Sequence, residues 1–236
     1  MTSRGDKIYL DGTNTENDPY TCQSEIPLHP GIYISKSLTL VGFGPKPPHI
    51  RCSEGLTFDG SDDDQQMHIT LSGLFLDKSS VYFQESYVNI ARCRFEGTKR
   101  GLQFLVRTRM VSNIQITDSA FVNNSECLSA VVKKKTMNPS EDVLVTFRLK
   151  ISSIQGNLMS DEGRCMSLIE SSDNKHSVSF KITLENVKFS DNKFSSKGLL
   201  FLGIKNGNQD INLQKVKFIK KQCIVAPKCF WKLRSQ

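Results

Sequence analysis

Six segments of this chain align without gaps on one eight-position pattern, and this repeat restricts the possible folds more than any other feature. Positions 1, 3 and 8 are apolar throughout except at Gly156, position 6 is mostly apolar, and positions 2 and 4 are nearly all polar. Alternation over positions 1 to 3 indicates a strand with one buried face, and the change of phase before position 6 indicates a corner. The segments begin at Ile69, Val88, Ile114, Leu149, Ile182 and Ile211.

Each corner is followed by a turn rich in Asn, Gly, Asp or Lys, such as Asn123-Asn124, and then by a second short apolar run, such as residues 127–132. One such unit cannot bury its own apolar face, whereas stacked units form one continuous core. The sequence therefore predicts an all-β fold, a single-stranded right-handed parallel β-helix that forms a solenoid of about six to eight coils.

Two other repeat-bearing or strand-rich folds fit less well. An antiparallel sandwich would also show short alternating strands, but it has no reason to repeat one register along the chain. Leucine-rich repeats require their own Leu and Asn spacing, which is absent. We therefore expect a β-helix domain over residues 1–222, with N-terminal coils or a cap in residues 1–60 and regular coils in residues 69–222, followed by a basic tail at residues 223–236.

The net charge of +7 is concentrated near the C-terminus. Seven of the 31 basic residues follow Asp210, whereas none of the 24 acidic residues does, so residues 1–210 are neutral. A short basic tail without a recognisable motif argues against nucleic acid as a partner. No stretch approaches the ~20 apolar residues that a membrane span needs, so we expect no membrane insertion of this segment.

The stretch PGIYISKSLTLVGFG at residues 30–44, followed by His49-Ile-Arg and Gly55-Leu-Thr-Phe, resembles the opening coils of the pectin-lyase-like, right-handed β-helix superfamily. The resemblance covers roughly residues 8–222 and is a pattern of core positions, so it implies the fold but no activity. The coils are also similar to those of large extracellular β-helix proteins of marine invertebrates, which implies an extracellular region without any particular chemistry.

The seven cysteines show neither CxxC nor a Cys/His spacing typical of zinc, so we expect no metal and no cofactor. Paired disulfides in an oxidising compartment are the favoured interpretation, and seven buried small hydrophobic side chains are the alternative. Cys127 and Cys165 occupy the same position in the second strand of successive coils, where a strand spacing of ~4.8 Å permits a disulfide. Cys93, at inward position 6, is predicted to be a free core thiol. The other candidate disulfides join Cys22 to Cys52 and Cys223 to Cys229.

The chain starts without the basic and apolar sequence of a signal peptide. It is therefore either cytosolic or a piece of a longer secreted product, and we favour the second. Asn123-Asn124-Ser125 is an N-glycosylation sequon, which agrees with an extracellular location or with the ectodomain of a membrane protein.

Many β-helix enzymes act on acidic polysaccharides through carboxylates from adjacent coils, and glycoside hydrolysis needs two such groups roughly 5 to 10 Å apart. Outward positions 2, 4, 5 and 7 contain only Asp118 and Glu185 as acids, two coils apart. The matching positions between them hold basic or neutral residues, namely Lys150, Ser152, Ser153 and Gln155. We therefore predict no catalytic residue.

Outward position 7 carries cations in three of the six coils. In chain order this position reads Phe75, Arg94, Ala120, Gln155, Lys188 and Lys217. Together with Arg92, the cations Arg94, Lys188 and Lys217 are candidates for binding an acidic glycan, although long solvated side chains on a strand face are the plainer interpretation.

The sequence thus favours a non-enzymatic extracellular scaffold or binding module, one part of a longer adhesive or receptor ectodomain that contacts glycan or protein along its flank. A carbohydrate-active enzyme of lyase or hydrolase type, acting on acidic glycan, is the alternative. A truncated product without an independent role is a third reading.

Overall fold

The computed structural model describes residues 5–22, 31–60, 67–84, 86–98, 100–106, 112–132, 143–150, 152–157, 165–170, 178–194, 200–203, 209–219, 222–223 and 232–233. These residues form strands, turns and bends, and none of them is helical. The predicted all-β class is therefore confirmed for this part of the chain. No helix within it is long and apolar enough to cross a membrane.

Within the described residues, 24 of the 26 strands belong to three parallel sheets of eight strands each. The first sheet contains β1 (Asp6–Asp11), β4 (Leu38–Phe43), β7 (Met67–Ser72), β10 (Ser86–Ala91), β13 (Ser112–Thr117), β16 (Val143–Lys150), β19 (Val178–Glu185) and β23 (Gln209–Gln214). The second contains β2 (Tyr20–Thr21), β5 (His49–Arg51), β8 (Phe75–Asp77), β11 (Arg94–Glu96), β14 (Ala120–Val122), β17 (Ser153–Gln155), β20 (Lys188–Ser190) and β24 (Lys217–Ile219). The third contains β3 (Ile32–Ile34), β6 (Leu56–Asp59), β9 (Val81–Gln84), β12 (Leu102–Val106), β15 (Leu128–Val132), β18 (Met166–Glu170), β22 (Leu200–Gly203) and β26 (Lys232–Leu233).

The chain visits the first, second and third sheets in turn and then returns to the first, one strand further along. A short additional pair, β21 (Lys193–Phe194) with β25 (Gln222–Cys223), lies outside the three sheets. This connectivity is consistent with a parallel β-solenoid, because each circuit of the chain adds one strand to every sheet. Eight strands per sheet correspond to eight circuits, which is the upper end of the predicted range.

The strand pairing corrects the predicted register of the fourth repeat segment. Phe147, rather than Leu149, pairs with both Ile114 and Ile182, so this segment begins two residues earlier than predicted. Position 8 is then Ile154, which is fully buried. Gly156, the apparent exception to the apolar pattern, instead lies at a corner with a φ of +66°.

Residues in the left-handed conformation form the corners between the sheets. The corner between the first and second sheets uses Gly73, Arg92, Asp118, Asn186 and Lys215, all at positive φ. The corner between the second and third sheets uses Lys78, Gly97, Asn123, Gly156 and Asp191, again at positive φ. Gly, Asn and Asp tolerate this conformation, which explains the composition of the turns. The corner amides still bond to the next coil, as in the Lys78 N–H donating to the Glu96 carbonyl at 2.8 Å.

The core consists of the inward residues of the three sheets, and aromatic stacks run through it along the coil axis. Phe58, Phe83 and Phe104 stack on the third sheet with ring centroids 5.2 and 5.1 Å apart. Phe95 and Phe121 stack in the same way on the second sheet, at 5.2 Å. Identical side chains can stack here because consecutive coils repeat the register at the strand spacing, which is close to the preferred ring separation.

Beside the second corner lies a ladder of buried asparagines, one in each of three successive coils: Asn124, Asn157 and Asn192. The side-chain amides of Asn157 and Asn192 donate to the carbonyls of Phe121 and Ile154, at 3.2 and 2.8 Å. The bend at the corner takes these carbonyls out of the hydrogen bonding of the sheets, and a buried carbonyl without a partner would destabilise the fold. The asparagine side chains supply the donors that these carbonyls need.

Sheet pairing continues into the predicted basic tail. Lys232 and Leu233 in β26 pair with Phe201 and Leu202 of β22, ten residues after the expected end of the domain at residue 222. At the opposite end, β1 pairs with β4 over its full length, so residues 6–11 belong to the first sheet, within the region predicted as N-terminal coils.

Candidate functional site

The structure separates the predicted column of cations on the second sheet into two parts. Pairing places Arg94, Ala120, Ser153, Lys188 and Lys217 side by side on successive strands. Ser153 therefore takes the place predicted for Gln155, because of the two-residue register correction. Arg94 lies three strands from Lys188, roughly 14 Å at the usual strand spacing. The four predicted cations do not converge on one site.

Arg94 is already engaged by its neighbours. Its guanidinium forms an ion pair with Glu96 at 2.6 Å and lies 5.3 Å from the ring centroid of Phe75. The Phe75 ring in turn packs on His49, at a centroid distance of 4.3 Å. These contacts hold Arg94 along the sheet, with its charge largely compensated by the carboxylate.

Arg92 lies at the corner between the first and second sheets, with a φ of +54°. Its guanidinium donates a hydrogen bond to the hydroxyl of Ser72 at 3.0 Å. Its side chain is exposed, but its backbone position serves the turn rather than the face that carries Arg94. The role of Arg92 in the corner therefore accounts for its presence in the sequence at least as well as a ligand site does.

Lys188 and Lys217 pair directly across β20 and β24, and both side chains are exposed. Within the described part of the chain, neither has an acidic partner within ion-pair distance. Like charges opposite one another on a sheet repel, so this pair is the most electropositive part of the predicted column.

The described acids on the outer faces are mostly bonded to cations. Glu185 contacts Lys150 at 3.2 Å and Arg148 at 3.6 Å. Asp77 pairs with Arg51 on the second sheet. Asp118 lies at a corner with a φ of +50°. Asp118 and Glu185 lie two coils apart, and the intervening coil presents Lys150 beside Glu185; the absence of a catalytic residue stays a prediction.

A groove of about 280 Å³ lies on the outer face of the first sheet and was not predicted. It is lined by Ile69 and Val88 together with six polar or aromatic residues from β7, β10 and β13: His68, Thr70, Tyr87, Asn89, Asn113 and Gln115. Its volume is near the lower end of the ~300 to 1,000 Å³ of typical ligand pockets. Among the residues that the structure describes, no acidic or permanently cationic side chain lines it.

An aromatic pair forms one wall of this groove. The rings of His68 and Tyr87 stack with centroids 4.9 Å apart and planes inclined by 19°. The backbone N–H of His68 donates to the hydroxyl of Ser37 at 2.9 Å, which fixes the start of β7. The two rings are in register, because Tyr87 pairs with His68 across adjacent strands.

Amide side chains form the remainder of the wall. Asn89, Asn113 and Gln115 supply both donors and acceptors to the groove. The Oδ1 atom of Asn113 is shielded from solvent and accepts no hydrogen bond from the described residues.

The eight-position repeat covers only half of this groove, because Thr70, Asn89 and Gln115 occupy position 2. The other three, His68, Tyr87 and Asn113, each occupy the position just before position 1. Extending the repeat window by one residue would have shown a polar or aromatic column at that height. The aromatic part of the groove was therefore present in the sequence but lay outside the aligned segment.

Cys127 and Cys165 occupy the same position in adjacent coils, as the repeat predicted. Cys22 and Cys52 lie at disulfide distance, with Cα atoms 4.7 Å apart. Cys127 and Cys165 are stacked but are free thiols with their sulfurs 3.2 Å apart. Cys93 is a buried free thiol, and burial raises its pKa to about 11. The pairing of Cys223 with Cys229 stays a prediction, because Cys229 lies outside the described residues.

Asn123 of the sequon lies at the second corner with an exposed side chain and a φ of +53°. Its side-chain amide is 3.4 Å from a carboxylate oxygen of Glu96, whereas the next residue, Asn124, is buried in the ladder. The exposed position leaves room for a glycan, and its attachment stays a prediction.

No group of His, Cys, Asp and Glu side chains able to hold a metal ion occurs in the part of the chain that the structure describes. Comparison with protein-family models, curated proteins and solved structures finds no match to this chain.

Proposed function

We propose that this chain is a right-handed parallel β-helix of the pectin-lyase-like kind that serves as a non-enzymatic extracellular module and binds a neutral glycan on the outer face of its first sheet. The three parallel sheets and their connectivity support the β-helix. The right-handed sense follows from the strong preference of parallel strand crossovers for that hand.

The groove beside His68 and Tyr87 carries the glycan proposal. A pyranose ring presents an apolar face of C–H groups and an edge of hydroxyls, so its natural partners are an aromatic surface and hydrogen-bonding side chains. The groove combines a stacked aromatic pair with the amides of Asn89, Asn113 and Gln115. Because the described lining has no acidic or permanently cationic side chain, an uncharged sugar fits it better than a uronate does.

The charge arrangement supports binding over catalysis. A glycosidase needs two carboxyl groups roughly 5 to 10 Å apart around the scissile bond. Glu185 is instead compensated by Arg148 and Lys150, and Glu96 by Arg94. These carboxylates stabilise the sheet surface and are not directed at the groove.

Two features support an extracellular location. Cys22 and Cys52 lie at disulfide distance, and disulfides persist chiefly in oxidising compartments. Asn123, the sequon asparagine, has an exposed side chain at a corner of the coil.

The test is a binding screen against neutral and acidic oligosaccharides, followed by titration calorimetry on each hit. We expect neutral sugars to bind, and Tyr87→Ala to weaken that binding at least tenfold. Tyr33→Ala is the matched control, because Tyr33 is 53% exposed on the third sheet, away from the groove. Equal loss in both variants, or binding restricted to acidic glycans, would refute the site.

An assay for reducing ends and unsaturated uronates, with acidic polysaccharides as substrates, separates binding from turnover. We expect no product above that of a heat-denatured sample. Product formation would favour the competing function, a carbohydrate-active enzyme.

A further inference from the structure

Two thiols stack in the core at the start of the third sheet, outside the proposed glycan site. Cys127 and Cys165 immediately precede β15 and β18, and neither side chain is exposed to solvent. Their sulfur atoms are 3.2 Å apart. The backbone N–H groups of Cys127 and Leu128 both donate to the Cys165 carbonyl, at 3.2 and 3.0 Å, so the two segments are held together.

The backbone beside the pair is closely packed on the opposite side as well. Gly101 is the corresponding residue of the preceding coil, and a Cβ atom added there would lie 2.3 Å from the Cys127 carbonyl oxygen. The Leu102 N–H donates to that same carbonyl at 3.0 Å. The backbone of Cys127 is thus held on both sides, which keeps its sulfur next to that of Cys165.

The geometry suits a covalent bond. Adjacent strands are ~4.8 Å apart, within the ~4.4 to 6.8 Å that disulfides span between Cα atoms. Closing the bond requires the sulfurs to approach by roughly 1 Å, to the usual length of about 2.05 Å. Cys22 and Cys52, which also belong to consecutive coils, already lie at disulfide distance with Cα atoms 4.7 Å apart.

We propose that Cys127 and Cys165 form a second disulfide between consecutive coils, and that this bond closes while the coils are still assembling. The oxidant is a small-molecule or protein disulfide. Cys127 as thiolate attacks one sulfur of that disulfide and displaces its first thiol, and Cys165 then displaces the second. Two cysteine thiols are oxidised to one disulfide, the oxidant is reduced to two thiols, and the two cysteine protons pass to those leaving groups.

The bond closes before the coils stack because burial slows the reaction of both thiols. Removal from water raises the pKa of the Cys127 thiol well above its ordinary value, and the adjacent Cys165 raises it further. The thiolate is the reactive form, so a fully stacked pair reacts slowly, and a bulky oxidant cannot reach it. Before stacking, both thiols are solvated and ionise normally. The closed bond then links residues 38 positions apart in the chain and restricts the unfolded ensemble.

The first experiment maps disulfides in the full chain made in an oxidising secretory compartment, with free thiols blocked in denaturant at acidic pH before digestion under non-reducing conditions. We expect one linked peptide that contains Cys127 and Cys165 beside one that contains Cys22 and Cys52. Recovery of Cys127 and Cys165 as blocked thiols, with Cys22 and Cys52 linked, would overturn the proposal.

Timing is tested on the reduced full chain with oxidised glutathione as the added disulfide. We expect the Cys127–Cys165 peptide to form at least tenfold faster when glutathione is present during refolding than when it is added after folding. Equal rates would refute the order of events. Cys93→Ala is the matched control, because it removes another buried thiol and should leave the linked peptide unchanged. Binding of neutral sugars plays no part in either readout.

Discussion

The side-chain oxygen of Asn157 accepts the backbone N–H of Asn124 at 2.7 Å, and both residues are buried. The amide nitrogen of Asn157 donates to the Phe121 carbonyl at 3.2 Å and to the Asn192 side chain at 2.8 Å. One side chain thus connects three consecutive coils at the corner between the second and third sheets. Because water does not reach this corner, each lost bond leaves a buried polar group without a partner.

Replacing Asn157 by Ala is therefore expected to lower the free energy of unfolding by about 3 kcal/mol, since it orphans the Asn124 N–H and the Phe121 carbonyl at a cost of about 1 to 3 kcal/mol each. Asn89→Ala is the matched control, because Asn89 is exposed on the outer face of the first sheet, and we expect a change within about 0.5 kcal/mol. Urea denaturation of both variants measures the difference. Equal effects would mean that the ladder does not stabilise the corner.

At the second corner, two substitutions should change the free energy of unfolding in opposite directions. Lys78 and Gly97 occupy the same corner position in adjacent coils, at φ values of +50° and +67°. Lys78→Gly should raise the free energy of unfolding by about 0.5 to 1 kcal/mol, because glycine adopts this conformation without strain. Gly97→Ala should lower it by about 1 kcal/mol, through backbone strain alone, since the new Cβ would meet Lys78 Cγ at an ordinary 3.5 Å. Thermal and urea denaturation of both variants test the pair, and changes of the same sign would contradict it.

Cys93 should make the stability of the chain depend on alkaline pH. Burial raises its pKa to about 11 from an ordinary value of 9.0. The unfolded thiol therefore ionises first, so the contribution of Cys93 is complete below pH ~9 and is lost as the pH rises through ~11, by at most roughly 3 kcal/mol. The measurement compares urea denaturation of the wild type and Cys93→Ala from pH 8 to 11. Tyrosines and lysines titrate in both proteins, so the difference between their free energies of unfolding isolates the effect of Cys93. A difference between the two that does not change with pH would contradict the assignment.

Lys188 and Lys217 should repel each other across β20 and β24. Lys217→Glu replaces that repulsion by attraction and is expected to raise the free energy of unfolding by about 0.5 kcal/mol at low salt, with less effect in 1 M salt. Lys217→Gln removes the repulsion alone and should give a smaller gain. Arg94→Gln is the contrasting variant on the same face, because it loses the ion pair with Glu96 and should be neutral or destabilising. Denaturation at two salt concentrations checks all three, and a salt-independent gain for Lys217→Glu would show that charge is not the cause.

The repeat predicted the class and the inward positions correctly, because strand alternation is a local property. Ile69, Val88 and Ile114 pair in the predicted register and are all buried. The stacking of Cys127 on Cys165 also follows from it. These results depend only on which face of the strand meets the core, and apolar residues at every second position define that face.

The fourth segment shows where the repeat stops being informative. A shift of two residues keeps every side chain on the same face of the strand, so starting at Phe147 or at Leu149 satisfies the alternation equally well. Only the partners decide, since Phe147 pairs with Ile114 and Ile182 and thereby places Ile154 in the core. The same error moved Gln155 into the predicted cation column in place of Ser153.

The sequence by itself determined the parallel coil, its buried faces and the turn residues, because alternation and left-handed conformations are properties of a few neighbouring residues. The tertiary structure decided which coils align, and hence that His68 stacks on Tyr87, that Asn157 bonds to Asn192, and that Arg94 is bound to Glu96 rather than free for a ligand. The first two of these contacts join residues that are 19 and 35 positions apart in the chain. Arg94 and Glu96 are only two positions apart, and their pairing depends on side-chain rotamers. The loops between sheets vary in length, so the coils do too. The packing of one coil on the next therefore sets the distances between side chains that the local sequence does not determine.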